Sequence, residues 1–153
     1  MLVAGAALAA TSCSKDAPQT VVQQDNSAAD DATIQKYLAD NRITNARKQA
    51  SGLYYIPVTT NPNGLQATAG RTVTVEYAGT LLNGNAFDAG TIPFTLGAGR
   101  VIAGWDEGIA LMRLSEKSIL LIPSGLAYGS QSPSSKIPAN SVLRFEVTLN
   151  KIQ

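Results

Sequence analysis

The chain has 153 residues, a formal net charge of +1, and 44% hydrophobic against 15% charged residues. This length favours one folded domain with an appended segment, and so small a net charge argues against nucleic acid as a partner. The sequence has no His and one Cys, which excludes Ser-His-Asp and Cys-His nucleophiles, His-based metal sites and intrachain disulfides, so we expect no metal and no cofactor.

The N-terminus is typical of an export signal that ends at a lipid attachment site. Residues 2–10 form an uncharged apolar run that is too short to span a bilayer and fits the core of a signal peptide. The single cysteine, Cys13, follows small residues and resembles the lipobox of bacterial lipoproteins, which are cleaved before this cysteine and acylated on it. We therefore predict a signal peptide at residues 1–12 and a membrane anchor at Cys13; the alternative is a free cysteine in a soluble tail. Because no Lys or Arg precedes the apolar run, we expect the natural start to lie upstream of Met1.

A polar segment and a short helix follow the cysteine. Residues 13–30 are rich in Gln, Asp, Ser and Ala, which predicts a flexible tether. Residues 31–50 are predicted to be a helical segment, capped by Asp30 or Asp31. Apolar residues recur there at helical spacing, at Ile34, Tyr37 and Leu38. This helix is expected to pack on the domain; the alternative is a dimerising arm.

The first half of the remaining chain, from residue 51, predicts strands. Residues 53–59 form a strand-like run in which Pro57 implies an edge or a bulge. Residues 72–77 alternate strictly between apolar and polar side chains, as a half-buried strand does. Asn83 and Gly84 predict a tight hairpin turn, which leads to short strands at 86–88 and 92–96.

The second half predicts one helix and two more strands. Residues 103–112 form a helix with Trp105, Ile109 and Met112 on one face. An apolar strand at 118–122 stops at Pro123, and residues 143–150 alternate cleanly. The elements together predict an α+β fold, in which an antiparallel sheet of five to six strands wraps one short helix.

Two motifs in this region favour structural roles. Gly97 and Gly99 lack the third glycine of a dinucleotide-binding loop. Asp106 and Glu107 are neighbouring acids, but consecutive helix positions diverge, and negative charge in a first turn stabilises the helix.

Six ordered motifs between residue 70 and the C-terminus carry a family resemblance. They are Val73-x-Val75-x-Tyr77-x-Gly79, Asn83-Gly84-x-x-Phe87-Asp88, Val101-Ile102-x-Gly104-Trp105-x-Glu107-Gly108, Ile122-Pro123, Ala127-Tyr128-Gly129 and Ile137-Pro138. In order and spacing they resemble the FKBP-type peptidyl-prolyl cis-trans isomerases. The resemblance implies a bent antiparallel sheet around the helix and an isomerase domain at residues 51–153. The signal, tether and N-terminal helix resemble exported FKBP-type lipoproteins of Gram-negative bacteria.

The resemblance also implies an apolar pocket and its residues. Asp88, Tyr128 and Ile102 are implied to be catalytic: Asp88 accepts a hydrogen bond from the Tyr77 hydroxyl, while the Tyr128 hydroxyl and the Ile102 N–H hold substrate carbonyls. The substrate-binding residues would be Tyr77, Phe87, Val101, Trp105, Ile137 and Phe145, with Trp105 as the floor. From the residues alone, plain core is the favoured interpretation of Tyr77, Phe145 and Trp105, whereas an acid such as Asp88 is costly to bury without a hydrogen bond.

The chain departs from the family pattern at residues 89–91, where the family usually has a longer segment. This shortens one wall of the pocket, and Ile92 is expected where the family often has an aromatic residue. The resulting hypothesis is a lipid-anchored isomerase of the cell envelope, on the periplasmic or outer-membrane side. It would act on X-Pro-containing exported polypeptides and bind the macrolide inhibitors of the family. The alternatives are a peptide-binding chaperone module with little turnover and a structural lipoprotein domain with a vestigial pocket.

Overall fold

The computed structural model describes residues 25–153, which form one sheet and two helices. The elements in chain order are α1 (Ser27–Asp40), β1 (Arg47–Lys48), β2 (Tyr54–Thr59), β3 (Thr72–Leu81), β4 (Ala86–Thr95), α2 (Ala103–Ala110), β5 (Lys117–Ile122), a 3-10 turn (Ser124–Leu126) and β6 (Leu143–Ile152). The predicted signal peptide at 1–12, the attachment site Cys13 and most of the tether at 13–30 lie outside the described residues. Neither α1 nor α2 is long and apolar enough to cross a membrane.

The strands form one sheet in the order β1-β2-β5-β6-β3-β4, and every neighbouring pair is antiparallel. This confirms the predicted α+β fold. The register between β2 and β5 shifts after Pro57, so the predicted bulge is present there.

The core lies between α2 and one face of the sheet. The alternation predicted for the last strand is present, because Leu143, Phe145, Val147 and Leu149 are all buried. The apolar face of α2 meets this layer through Trp105 and Ile109, as predicted. Each large apolar side chain buried in this way contributes roughly 1.5–3 kcal/mol.

Two glycines let α2 approach the sheet closely. A Cβ atom on Gly104 would lie 2.5 Å from the side chain of Ile122, and one on Gly108 would lie 2.7 Å from Leu120. Both residues of β5 are fully buried. This close contact brings Trp105, the residue after Gly104, near to the sheet.

The first helix packs on the opposite face of the sheet. Its Ile34 is fully buried in a cluster with Tyr54, Ile56 and Leu121, so α1 is part of the domain. The helix begins at Ser27, four residues earlier than predicted, and the end of the predicted tether is therefore helical.

The boundaries predicted for α1 were wrong because Asp30 does not cap the helix. It lies in the first turn, and its buried carboxylate accepts hydrogen bonds from the backbone N–H and hydroxyl of Ser124, at 2.8 and 2.6 Å. The helix ends at Asp40, and residues 47–48 form β1. The predicted helical segment 31–50 is thus helical only in its first half.

The hairpin predicted at Asn83 and Gly84 joins β3 to β4, and Gly84 has a positive φ of 92°. In place of the two predicted strands, β4 runs unbroken from Ala86 to Thr95. Residues 89–91 are therefore strand residues, which pair with residues 76–78 of β3.

Candidate active site

A pocket of about 410 Å³ opens beside the N-terminus of α2, over β3, β4 and β6. All nine residues that the resemblance implies for the site line this pocket: Asp88, Tyr128, Ile102, Tyr77, Phe87, Val101, Trp105, Ile137 and Phe145. They come from three strands, one helix and two loops. Four further residues, Ile92, Arg100, Pro133 and Ser134, complete the lining.

Aromatic rings packed edge to face build the floor of the pocket. The Trp105 ring is nearly perpendicular to Tyr77 and to Phe145, with centroid distances of 4.9 and 5.2 Å. Phe87 meets Phe145 in the same way at 5.4 Å. Because aromatic rings prefer this arrangement, each ring restrains its neighbours, and the floor is rigid and apolar.

Gly79 of β3 makes room for two of these rings. A Cβ atom at this position would lie 2.6 Å from Phe87 and 2.7 Å from Phe145, both side-chain contacts. Real Cβ contacts are not so short, so a side chain here would displace the wall. The glycine of the Val-x-Val-x-Tyr-x-Gly motif is therefore required by packing.

The one carboxylate of the pocket is Asp88. It accepts a hydrogen bond of 2.8 Å from the Tyr77 hydroxyl, which is the contact that the resemblance implies. Asp88 is exposed, so the predicted cost of burying this acid does not arise. Burial, followed by the hydrogen bond to Asp88, raises the pKa of Tyr77 above its ordinary 10.0. The hydroxyl therefore keeps its proton at neutral pH and remains a donor.

The rim of the pocket carries two donors. Tyr128 is 38% exposed, so its hydroxyl is accessible to a ligand. Ile102 precedes the first turn of α2, and its carbonyl accepts the N–H groups of Trp105 and Asp106. Its own N–H finds no acceptor within residues 25–153, as is common for the first N–H groups of a helix.

A carboxylate of α2 anchors the loop before Ile102. Asp106 accepts hydrogen bonds from the N–H groups of Gly97 and Gly99, at 2.8 and 3.2 Å. Both glycines have positive φ, which other residues adopt only with strain. These motifs are therefore structural here, as predicted. In the described part of the chain, no three His, Cys, Asp or Glu side chains are grouped to hold a metal ion.

Comparison with known proteins gives the same assignment. The model of a family described as FKBP-type peptidyl-prolyl cis-trans isomerase matches residues 64–150, which is more than half of the chain. The chain belongs to this family. It therefore contains an FKBP-type isomerase domain.

Two relatives and one solved structure illustrate the similarity. FK506-binding protein 2 of Candida glabrata is 50% identical over 91 residues, which cover 56% of this chain and 67% of the relative. A probable FKBP-type isomerase, FkpA, of Neisseria meningitidis serogroup B is 39% identical over 120 residues, covering 76% of this chain and 44% of the relative. The crystal structure of FkpA from Escherichia coli superposes with a TM-score of 0.69 at 31% identity, covering 86% of this chain and 62% of that one. The chain thus spans less than two thirds of both FkpA proteins.

Arg100, Pro133 and Ser134 are the pocket residues that sequence reasoning missed in this FKBP-type domain. All three lie in segments without helix or strand, where no periodicity points to a shared face. Arg100 directly precedes the Val101-Ile102 motif, and this adjacency was the one available signal. Its exposed guanidinium has no acidic partner among residues 25–153.

Proposed function

We propose that this chain catalyses rotation about X-Pro bonds in exported polypeptides, without a covalent intermediate. The observation that carries the proposal is the aromatic pocket with Trp105 at its floor, Asp88 on its wall and hydrogen-bond donors at its rim. Its volume of about 410 Å³ lies within the range of small-ligand sites, and a prolyl ring with its flanking amides is such a ligand.

The mechanism follows from the polarity of the amide. Resonance sets a barrier of about 18–20 kcal/mol to rotation, and the twisted transition state has lost conjugation, so its carbonyl is less polar than the planar one. An apolar pocket destabilises the planar, more polar amide relative to the twisted amide. It also holds the prolyl ring by shape complementarity. The Ile102 N–H and the Tyr128 hydroxyl hold carbonyls on either side of the rotating bond. No proton transfer is needed.

The test is exchange of capped X-Pro tetrapeptides, with and without the protein. We expect acceleration by the wild-type chain and a fall in kcat/KM of about tenfold in Tyr128→Phe, because one hydrogen bond in the transition state is lost. Lys151→Ala, at an exposed position near the end of β6 and six residues from Phe145, is the matched control and should retain wild-type turnover. Wild-type protein that leaves exchange at the background rate would refute the proposal.

A peptide-binding module with little turnover is the second candidate function. It is favoured by residues 89–91, which are exposed residues of the continuous strand β4 where the family usually has a longer segment. Peptide binding by the wild type, measured by calorimetry, without any acceleration of exchange would support this candidate. Loss of both binding and acceleration would leave only a structural domain.

We further propose that the FK506-type macrolides bind in this pocket, since the C. glabrata relative is named an FK506-binding protein. The short segment at residues 89–91 would offer a macrolide less contact surface than the longer segment usual in the family. We therefore expect weaker inhibition than for a relative with a longer segment there, measured as competition in the exchange assay. Exchange that is insensitive to saturating macrolide would contradict this.

The proposed location is the cell envelope, with the chain anchored to a membrane through acylated Cys13. The sequence of residues 2–13 supports this, and two acyl chains would be needed for stable anchoring. Mass spectrometry of the mature N-terminus should show acylation, and Cys13→Ser should release the protein from membranes. An unmodified thiol in the native protein would rule out the anchor.

A further inference from the structure

The backbone groups of β4 alternate between the sheet and solvent. The Leu96 N–H donates to the Arg71 carbonyl at the end of this pair of strands. The direct partners that follow are Val73↔Phe94, Val75↔Ile92, Tyr77↔Gly90 and Gly79↔Asp88. In an antiparallel pair, hydrogen-bonded and non-bonded positions alternate, so these partners bond to each other. The N–H and C=O groups of Ala89 and Thr91 consequently point away from β3.

Two observations agree with this orientation. Pro93, which has no N–H, occupies an outward position, where proline is tolerated in an edge strand. Thr72, the partner of Thr95, exchanges both of its backbone hydrogen bonds with Gln153 on its other side, so Thr95 also points outward.

The outward groups of Ala89 and Thr91 form a bare edge at the mouth of the pocket. β4 is the last strand of the sheet, and residues 89–91 are all exposed. Asp88 and Ile92, on either side of them, line the pocket. Native proteins protect long edge strands with charges, prolines, bulges or covering loops. In β4 the one charge, Asp88, and the one proline, Pro93, lie on either side of residues 89–91, which carry neither. We call the backbone of Ala89 and Thr91 the β4 edge.

We propose that an extended polypeptide substrate adds to the β4 edge as a short strand while its proline occupies the pocket. This inference rests on the proposed isomerase function and names how the same site holds longer substrates. The β4 edge continues directly into the pocket lining, so one extended chain reaches both. Two residues of a strand span about 7 Å, so Ala89 and Thr91 match alternate residues of an incoming strand. Strand addition draws affinity from the main chain, which suits a catalyst that acts on many sequences.

The test is a proline substitution that removes one outward donor. Thr91→Pro deletes an N–H that β3 does not use and blocks approach of a strand, while its φ fits an edge position, as at Pro93. The matched control is Thr95→Pro, which removes an outward N–H of the same strand away from the pocket. Each variant is assayed with a capped tetrapeptide and with an unstructured X-Pro peptide of about ten residues. The readout is the ratio of kcat/KM for the long peptide to that for the short one.

We expect Thr91→Pro to lower this ratio about fivefold, which corresponds to about 1 kcal/mol or one backbone hydrogen bond. Thr95→Pro should keep the wild-type ratio. An unchanged ratio in a folded Thr91→Pro overturns the inference, whereas a wild type that accelerates neither peptide overturns the proposed function instead.

A second measurement keeps the inference testable if Thr91→Pro does not fold. Single amides of the long peptide are N-methylated in turn and assayed with the wild-type chain. Strand addition predicts that methylation at alternate residues on one side of the proline lowers kcat/KM, while the intervening positions tolerate it. A scan without any alternating pattern contradicts the inference.

Discussion

Tyr77 joins the floor of the pocket to its one carboxylate, and each of its contacts comes from a different element. Its ring meets Trp105 of α2, and its hydroxyl donates to Asp88 of β4. The family motifs predicted these residues, but a periodic pattern alone does not distinguish a pocket wall from plain core. The hydrogen bond from Tyr77 to the exposed carboxylate of Asp88 identifies Tyr77 as a pocket residue, because the hydroxyl of a core tyrosine does not reach a solvent-exposed group.

The alkaline limit of activity should follow Tyr77. Because its pKa is raised by burial and by Asp88, the stability that depends on the protonated hydroxyl is complete below about pH 10. It is lost as pH rises through the raised pKa. We expect kcat/KM to be level between about pH 7 and about pH 10 and to fall above this range. In Asp88→Asn the fall should begin at lower pH, because the amide no longer repels the phenolate. An identical profile in both proteins would contradict this.

Gly79→Ala should displace the rings of Phe87 and Phe145 that line the pocket. The added Cβ atom meets Phe87 and Phe145 at 2.6–2.7 Å, and overpacking of this kind costs about 1–3 kcal/mol. We expect a lower free energy of unfolding in urea together with weaker peptide binding. Gly125→Ala is the matched control, because nothing lies within 4 Å of its Cβ position. Equal free energies of unfolding of the two variants would show that the rings move aside without cost, which contradicts the prediction.

Among the elements, α1 departs furthest from its prediction. Its sequence marks an apolar stripe, and that stripe is buried at Ile34. Asp30 lies in its first turn, and the hydrogen-bond partner of this residue, Ser124, is 94 residues away in sequence. The Ser124 carbonyl in turn accepts the N–H groups of Ala127 and Gly129, on either side of Tyr128. The first turn of α1 therefore buttresses the rim of the pocket.

Asp30→Ala should weaken this connection between α1 and the rim. The buried N–H and hydroxyl of Ser124 would lose their acceptor, at a cost of about 1–3 kcal/mol. The measurement is the free energy of unfolding in urea. Asp40→Ala, which removes an exposed pair with Lys36, is the control and should change stability by less than about 0.5 kcal/mol. Equal effects of the two substitutions would contradict the buttressing role.

At the scale of the whole molecule, two ion pairs join segments that are far apart in sequence. Lys117 of β5 pairs with Glu146 of β6, and Lys48 of β1 pairs with Asp31 of α1. Lys117, then Arg144, lowers the pKa of Glu146 below 4.5, and Lys48, then Tyr54, lowers that of Asp31 below 3.8. Folded-state pKa values below the unfolded ones give stability that is present above about pH 4.5. It is lost as pH falls through the folded values.

We therefore expect the midpoint of urea unfolding to be constant from neutral pH to about pH 5 and to fall at lower pH. In Glu146→Gln the unfolding midpoint should decrease less at low pH, because one titrating carboxyl is gone. Gln131→Ala, an exposed residue far from both carboxyls in sequence, is the control and should keep the wild-type pH dependence. A fall of the same size in Glu146→Gln would assign the acid sensitivity to other groups.

The sequence by itself determined the α+β class, the alternating strands, the face of α2 and the nine family residues of the pocket. The first three depend on local periodicity and on turn chemistry, which neighbouring residues carry, whereas the nine pocket residues rest on the motifs that resemble the FKBP-type family. Only the tertiary structure decided the start of α1, the unbroken β4 and the place of Arg100, Pro133 and Ser134 in the lining. Each of these elements meets a segment distant in the chain: Asp30 of α1 contacts Ser124, residues 89–91 pair with β3, and the loop residues line one pocket with β3, β4 and β6. Hydrogen bonds and contacts between distant segments leave no period in the sequence.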